Sequence, residues 1–276
     1  MDAANSTTIN SAPPSLPLLD RVAIVTGSSR GIGKAIAIHL ASLGARVVVN
    51  YISNKHQADL VAEEINSSWS SLGYEYDRTA PRAIVVQADV SEPTQVKFLF
   101  DETERVFGSQ VHVLVNSAAI ADAKNHTIPN IPVEDFDRIC RVNFRGAFLC
   151  CKEAANRIKR GGGGRIIMLS SSLVRSLKPE IATYAATKAA VEAMVKILAK
   201  ELKGTRITAN CVAPGPIATE MFLTGRSEEQ VQGAIDQCPL GRLGETKDVA
   251  PVVGFLASDA SEWVNGQFIG VNGGYV

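Results

Sequence analysis

The chain has 276 residues, with 28 lysines and arginines against 28 aspartates and glutamates, so its formal net charge is zero. That balance argues against a nucleic-acid or anionic-membrane partner recruited by bulk electrostatics, and no apolar run is long enough to span a bilayer. The five cysteines are irregularly spaced and no histidine pair has ligand spacing, so reduced, buried thiols are expected rather than a disulfide framework or a metal site.

Residues 1–19 are rich in Ser, Thr, Asn and Pro, contain no Arg or Lys, and carry Asp2. They read as a disordered tail, with the cytoplasm as the default compartment and a plastid address as the alternative. Residues 20–276 read as one domain. The β-branched run 21–26 is a buried parallel strand. It enters the turn Gly27-Ser28-Ser29-Arg30-Gly31-Ile32-Gly33. An amphipathic helix follows, with Ile32, Ile36, Leu40 and Leu43 on one face, stopped by Gly44. Residues 45–50 form the second strand, completing a βαβ unit. A helix over about 56–65 precedes a polar stretch, 66–81, expected as a long surface loop. Strand 83–88 closes at Asp89-Val90. A helix with Val96, Leu99, Phe100, Thr103 and Phe107 on its apolar face leads to strand 111–115 and Asn116-Ser117-Ala118-Ala119. One long amphipathic helix is expected over about 133–159, containing Asn143. A four-glycine turn, strand 165–170, a helix carrying Tyr184 to Leu202, strand 207–212, a polar excursion over 218–240, helix 246–256 and strand 268–271 complete the chain. The alternation predicts an α/β fold: a single Rossmann-type, doubly wound parallel sheet with helices on both faces.

The glycine turn sits between a strand and a helix. Backbone approaches a pyrophosphate closely there, and the helix N-terminus offers unpaired N–H groups. Its spacing is G-x-x-x-G-x-G. The second strand ends at Asn50-Tyr51 with no carboxylate to accept from a ribose 2′-hydroxyl. Arg30, Ser53, Asn54 and Lys55 stand nearby, and a guanidinium can grip a 2′-phosphate, so NADP(H) is favoured over NAD(H). The alternative is that Arg30 and Lys55 are ordinary solvated charges. Asp89 with Val90, and Asn116 with Ala118, fall at the C-terminal sheet edge, where ligands bind. The aspartate suits an adenine amino group and the other two a cofactor channel; equally, each polar residue is a plain cap or turn residue. Farther on, Ser171 precedes Tyr184-x-x-x-Lys188. On a helix, i,i+4 spacing puts phenol and ammonium on one face. A nearby ammonium pulls a phenol pKa down from about 10, and a hydroxyl holds a substrate oxygen beside it.

TGSSRGIG (residues 26–33), the Asp89-Val90 pair, NSAA (116–119), Asn143, Ser171, YAATK (184–188) and PGPIATEM (214–221) occur together in this order. Over essentially residues 19–276 the chain resembles the single-domain short-chain dehydrogenase/reductases. KILAKELKG (196–204) and the glycine-rich C-terminal text are especially similar to plant NADPH-dependent aldehyde reductase-like members. NSAA departs from the family's commoner NNAG.

The resemblance implies Tyr184 as proton donor to a carbonyl oxygen, Lys188 as holder of the nicotinamide ribose and tuner of the phenol, and Ser171 as partner of the substrate oxygen. It implies Asn143 as holder of a proton-relaying water, and Thr219, Pro214, Gly215 and Ile217 as the nicotinamide wall. It further implies NADP(H), a small-molecule carbonyl substrate, a homotetramer or homodimer built on the Asn143 and Tyr184 helices, and a lid over about 216–245 that includes Met221-Phe222-Leu223. The enzyme alternatives are a 3-oxoacyl-thioester reductase and a specialised-metabolite ketone reductase. The non-enzyme alternative is an NADPH-binding scaffold, which would be expected to have lost Ser, Tyr or Lys. His126, after the fourth strand, is a further candidate to touch substrate.

Overall fold

The structure is a computed structural model and describes residues 16–71, 81–122 and 124–276. In chain order its elements are β1 (Val22–Thr26), α1 (Gly31–Ser42), β2 (Arg46–Tyr51), α2 (Lys55–Ser71), β3 (Ala83–Gln87), α3 (Pro93–Phe107) and β4 (Val113–Asn116). Then come α4 (Val133–Cys140), a π-helical segment (Arg141–Gly146), α5 (Ala147–Arg157), β5 (Arg165–Leu169), the short α6 (Leu173–Ser176) and the long α7 (Ala182–Glu201). The chain finishes with β6 (Thr208–Pro214), α8 (Glu220–Leu223), α9 (Glu228–Asp236), α10 (Thr246–Ala257) and β7 (Phe268–Val271). Among the described residues one sheet has the order β3-β2-β1-β4-β5-β6-β7, parallel throughout.

The inner strands are apolar on both faces because both are covered. Ile36, Leu40, Val61, Val249 and Val253 pack on one side. Leu99, Phe100, Cys150, Val191 and Val195 pack on the other. The strand order reverses between β1 and β4, which pair as Thr26 opposite Asn116. The crevice beyond the C-terminal ends of those strands is where this architecture takes ligands.

Three elements differ from the sequence expectation. Residues 16–19 belong to the domain rather than to a tail ending at residue 19: Leu18 is fully buried and its amide donates to the Leu43 carbonyl at 2.9 Å. Helix α2 runs on to Ser71 instead of ending near residue 65. Its extension is tied to the start of β3, since Asn66 Oδ1 accepts from the amides of Arg82 and Ala83 at 2.8 and 2.9 Å. The Arg82 guanidinium also lies 3.7 Å from the centre of the Trp69 ring. Residues 72–80, part of the expected loop, lie outside the described ones. Finally, the expected single helix 133–159 is interrupted by the π segment Arg141–Gly146 and ends at Arg157. The segment holds Asn143, and such insertions cluster at functional sites. It also brings backbone hard against β3's exit, because a Cβ on Gly146 would lie 2.9 Å from Val90 Cγ2.

Candidate active site

The glycine turn is shaped by close approach. Gly27 has φ +62°, and a Cβ there would lie 2.8 Å from Ala118 Cα. A Cβ on Gly33 would lie 2.4 Å from the Gly27 carbonyl oxygen. Buried side chains brace it. Ser28 Oγ donates to Val25 O at 2.7 Å and accepts from the Asn50 amide at 3.0 Å. Thr26 Oγ1 donates to Asn116 Oδ1 and accepts from the amides of Ser117 and Ala118, each at 3.1 Å. The turn fits a pyrophosphate: α1 begins after Arg30 with no capping side chain and no acid in its first turn, so its first amides remain free for an anion. Ser29 is only partly buried here, and Ile32 packs its side chain toward the core.

Several residues expected to contact the cofactor also make hydrogen bonds within the chain. Asn50 is buried; its Oδ1 accepts from the Gly27 amide at 3.1 Å and its Nδ2 donates to Ala88 O at 3.0 Å. It therefore shapes the turn from behind. Tyr51 belongs to the core. Asn54 accepts from the Gln57 amide at 3.1 Å, holding the start of α2, and Lys55 pairs with Asp59 at 2.8 Å, while Ser53 is exposed. Asp89 Oδ1 accepts from the Ser91 amide at 2.8 Å, and Val90 is buried beside it. Arg30 reaches Glu220 of α8 at 2.8 Å, with both side chains well exposed. Nothing in the sequence pattern singled out Glu220, because a pairing across 190 positions has no local signature.

Ser171, Tyr184 and Lys188 come together where β5 ends and α7 begins. Ser171 stands close enough to the Tyr184 phenol to favour its ionised form, and its hydroxyl accepts from the Leu173 amide at 3.2 Å. Lys188 is buried, and its Nζ donates to Leu169 O at 2.7 Å. That single carbonyl takes one of three N–H donors, which suits further acceptors such as vicinal hydroxyls. The expected pull of lysine on phenol is not the larger effect. Burial pushes Tyr184 up to about 12, opposed by Ser171. Burial also brings Lys188 down to about 8. The ammonium lies 5.7 Å from the phenol ring centre and points to a backbone carbonyl.

Asn143 makes its side-chain hydrogen bonds to the segment that leaves β4. Its Oδ1 accepts from the Ile120 amide at 2.9 Å and its Nδ2 donates to Ile120 O at 2.8 Å. It thus clamps the strand that leaves β4 against α7, with Thr187 Oγ1 at 3.4 Å. The opposite wall is built from β6. Pro214 O accepts from the Ser172 amide and the Gly215 amide donates to Val271 O, each at 2.9 Å. Ile217 is buried and bridges to Gly244. Thr219 caps α8, and its methyl lies 3.9 Å from where a Gly31 side chain would begin. Met221 and Leu223 are exposed. His126 pairs with Asp122 at 2.9 Å within the loop after β4. A groove of about 620 Å³ lined by Gly31, Lys34, Thr219, Glu220 and Lys247 runs along α1 and α10; none of Ser171, Tyr184 or Lys188 lines it.

The profile of the family described as enoyl-(acyl carrier protein) reductase matches residues 27–276. The chain is 65% identical over 274 residues to NADPH-dependent aldehyde reductase 2, chloroplastic, of Arabidopsis thaliana, covering 99% of each. It is 64% identical to a second Arabidopsis protein, named NADPH-dependent aldehyde reductase-like protein, chloroplastic, covering 98% of this chain and 100% of the relative. The chain belongs to the short-chain dehydrogenase/reductase family. A short-chain dehydrogenase of Burkholderia cenocepacia J2315 solved in complex with NADP superposes with TM-score 0.83 at 31% identity, over 94% of this chain and 99% of that one. As a member of the short-chain dehydrogenase/reductases, the protein is an oxidoreductase.

Proposed function

We propose that this oxidoreductase uses NADP(H) to reduce an aldehyde or ketone to the alcohol, with Tyr184 as the general acid. The observation that carries the reading is that the Lys188 ammonium lies 5.7 Å from the Tyr184 ring centre, with Ser171 at the end of the neighbouring strand, in a domain whose first turn is shaped for a pyrophosphate. The names of the Arabidopsis relatives and the NADP-bound Burkholderia neighbour support the cofactor. When bound, the dinucleotide supplies the hydride.

The chain's own groups do the rest. The amides at the start of α1 hold the pyrophosphate. Arg30, paired here with Glu220, would be the group that holds a 2′-phosphate. Lys188 would hold the ribose hydroxyls, and Thr219 and Ile217 would line the nicotinamide site. Ser171 and Tyr184 together grip the carbonyl oxygen, where negative charge develops. A phenol held near 12 is protonated throughout the neutral range, as an acid must be. The same fact sets a direction: alcohol oxidation, which needs the phenolate, accelerates as pH rises. Asn143 keeps the exit of β4 in register with α7.

Exposed Phe136, Phe144 and Phe148 on α4, the π segment and α5, with Ala186, Ala189 and Ala193 on α7, form the face on which subunits pair into a dimer or tetramer. The chloroplastic names of the relatives favour the plastid over the cytoplasm, which a fluorescent fusion of the full chain in plant cells would report. The function is tested by NADPH oxidation with a panel of aldehydes and ketones. Tyr184→Phe should lower kcat roughly 10²–10⁴-fold while NADPH binding is retained. Equal turnover by mutant and wild type would remove Tyr184 from the chemistry. Binding of NADPH with no turnover of any carbonyl by wild type would instead favour a binding protein.

A further inference from the structure

Beneath the Ser171–Tyr184 pair lies a charged group that the chemistry above does not use. Glu192 stands one helical turn beyond Lys188 on α7, and its side chain is only 8% exposed. Carboxylates are seldom buried this far unless they are held. Glu192 Oε1 accepts from Ser170 Oγ at 2.6 Å and from Arg175 Nη1 at 3.1 Å, and its Oε2 accepts from Arg175 Nη2 at 3.4 Å. The three members of this cluster come from three different places. Ser170 follows the last residue of β5 and directly precedes Ser171. Arg175 lies on α6, the four-residue turn that follows Ser171, and its guanidinium rests 5.2 Å from the Phe268 ring centre on β7. Glu192 itself is on the helix that carries Tyr184 and Lys188.

We propose that Glu192 is a positioning residue that sets the Ser171 hydroxyl against the Tyr184 phenol, by pinning both flanks of Ser171 to α7. The proposal rests on the reading that Ser171 and Tyr184 grip the carbonyl oxygen. Other restraints on the segment are backbone bonds to β6, from the Ser170 amide to Val212 O at 2.7 Å and from the Ser172 amide to Pro214 O at 2.9 Å, and the bond from Lys188 Nζ to Leu169 O at 2.7 Å. The backbone bonds fix Ser171 relative to the sheet. The carboxylate ties both flanks of Ser171 to α7, beside the bond that Lys188 makes two residues upstream. A hydroxyl misplaced by about 1 Å costs on the order of 10²-fold in rate.

The experiment compares steady-state kinetics and NADPH titrations of wild type, Ser170→Ala, Glu192→Gln, Glu192→Leu and Ser171→Ala. Glu192→Gln keeps an oxygen acceptor for Ser170 and should stay within roughly threefold of wild-type kcat. Glu192→Leu should lose roughly 10–100-fold in kcat, with NADPH affinity unchanged. Ser170→Ala leaves the Arg175 pair intact and should lose roughly three- to tenfold, so it decides the matter if Glu192→Leu does not fold. The double variant Ser171→Ala/Glu192→Leu should be no slower than Ser171→Ala alone, because Glu192 acts through Ser171. Fully multiplicative losses, or a Ser170→Ala enzyme with wild-type kcat, would overturn the proposal. A Ser171→Ala enzyme with wild-type kcat would instead overturn the reading of the grip itself.

Discussion

The two halves of the site are built on opposite principles. The nucleotide half, around residues 26–33, is a matter of backbone shape. Its Gly27 and Gly33 stand where a Cβ would collide with Ala118 or with the Gly27 carbonyl. Its buried polar side chains, Thr26, Ser28, Asn50 and Asn116, spend their hydrogen bonds on neighbouring backbone or on one another. The carbonyl half is a matter of side-chain chemistry. There Tyr184 and Lys188 are held with their ordinary acidities displaced by burial, toward about 12 and about 8. Saturated polar groups rigidify a cradle; displaced titratable groups cost stability and supply reactivity. Mutations in the first half should therefore damage folding and binding together. Mutations in the second should separate activity from stability.

The sharpest separation is expected at Lys188. Lys188→Met should abolish most activity yet stabilise the ligand-free protein near pH 7. The folded pKa of about 8 lies below the ordinary 10.5, so the folded state carries the full cost of burying an ammonium below pH 8. A displacement of that size corresponds to roughly 3 kcal/mol, offset by about 1 kcal/mol for the lost bond to Leu169 O. Between pH 8 and 10.5 the unfolded chain binds more protons than the folded one, so wild-type stability rises with pH and the mutant's advantage shrinks. Denaturant titrations of both proteins at pH 7 and pH 10 would show it; a mutant less stable at pH 7 would break the comparison. Gly33→Ala should behave in the opposite manner. It places a methyl against backbone 2.4 Å away, so melting temperature and NADPH affinity should fall together, with roughly 1–3 kcal/mol lost from folding.

Smaller effects probe the seam between the halves. Arg30→Ala should weaken NADPH by roughly 10–100-fold, the worth of a charge-assisted hydrogen bond, and leave NADH nearly unchanged. Equal losses for both cofactors would remove Arg30 from 2′-phosphate selection. Glu220→Gln should tighten NADPH by no more than about fivefold, because an exposed ion pair contributes at most about 1 kcal/mol. Loss of affinity instead would mean that Glu220 helps hold the cofactor rather than competing for Arg30.

Much of this was legible in one dimension, because local rules govern it. The period of apolar residues and the strand–turn–helix punctuation determined an alternating parallel α/β domain, and the sheet followed in order. The i,i+4 spacing of Tyr184 and Lys188 determined that they share a helix face. The absence of a carboxylate at Asn50-Tyr51 pointed to the cofactor. What only the tertiary structure decided concerns partners far apart in sequence. The backbone partners of Asn50 and Asn143, each in another segment, have no local signature in the chain. The helix expected over 133–159 gives way to a π segment where it meets Val90, a steric fact invisible to periodicity. Arg30–Glu220 and Ser170–Glu192–Arg175 join residues that no local pattern relates. The acidities were decided there too: spacing brings an ammonium near a phenol, but whether attraction or desolvation prevails depends on how much protein closes around them, and around Tyr184 desolvation prevails.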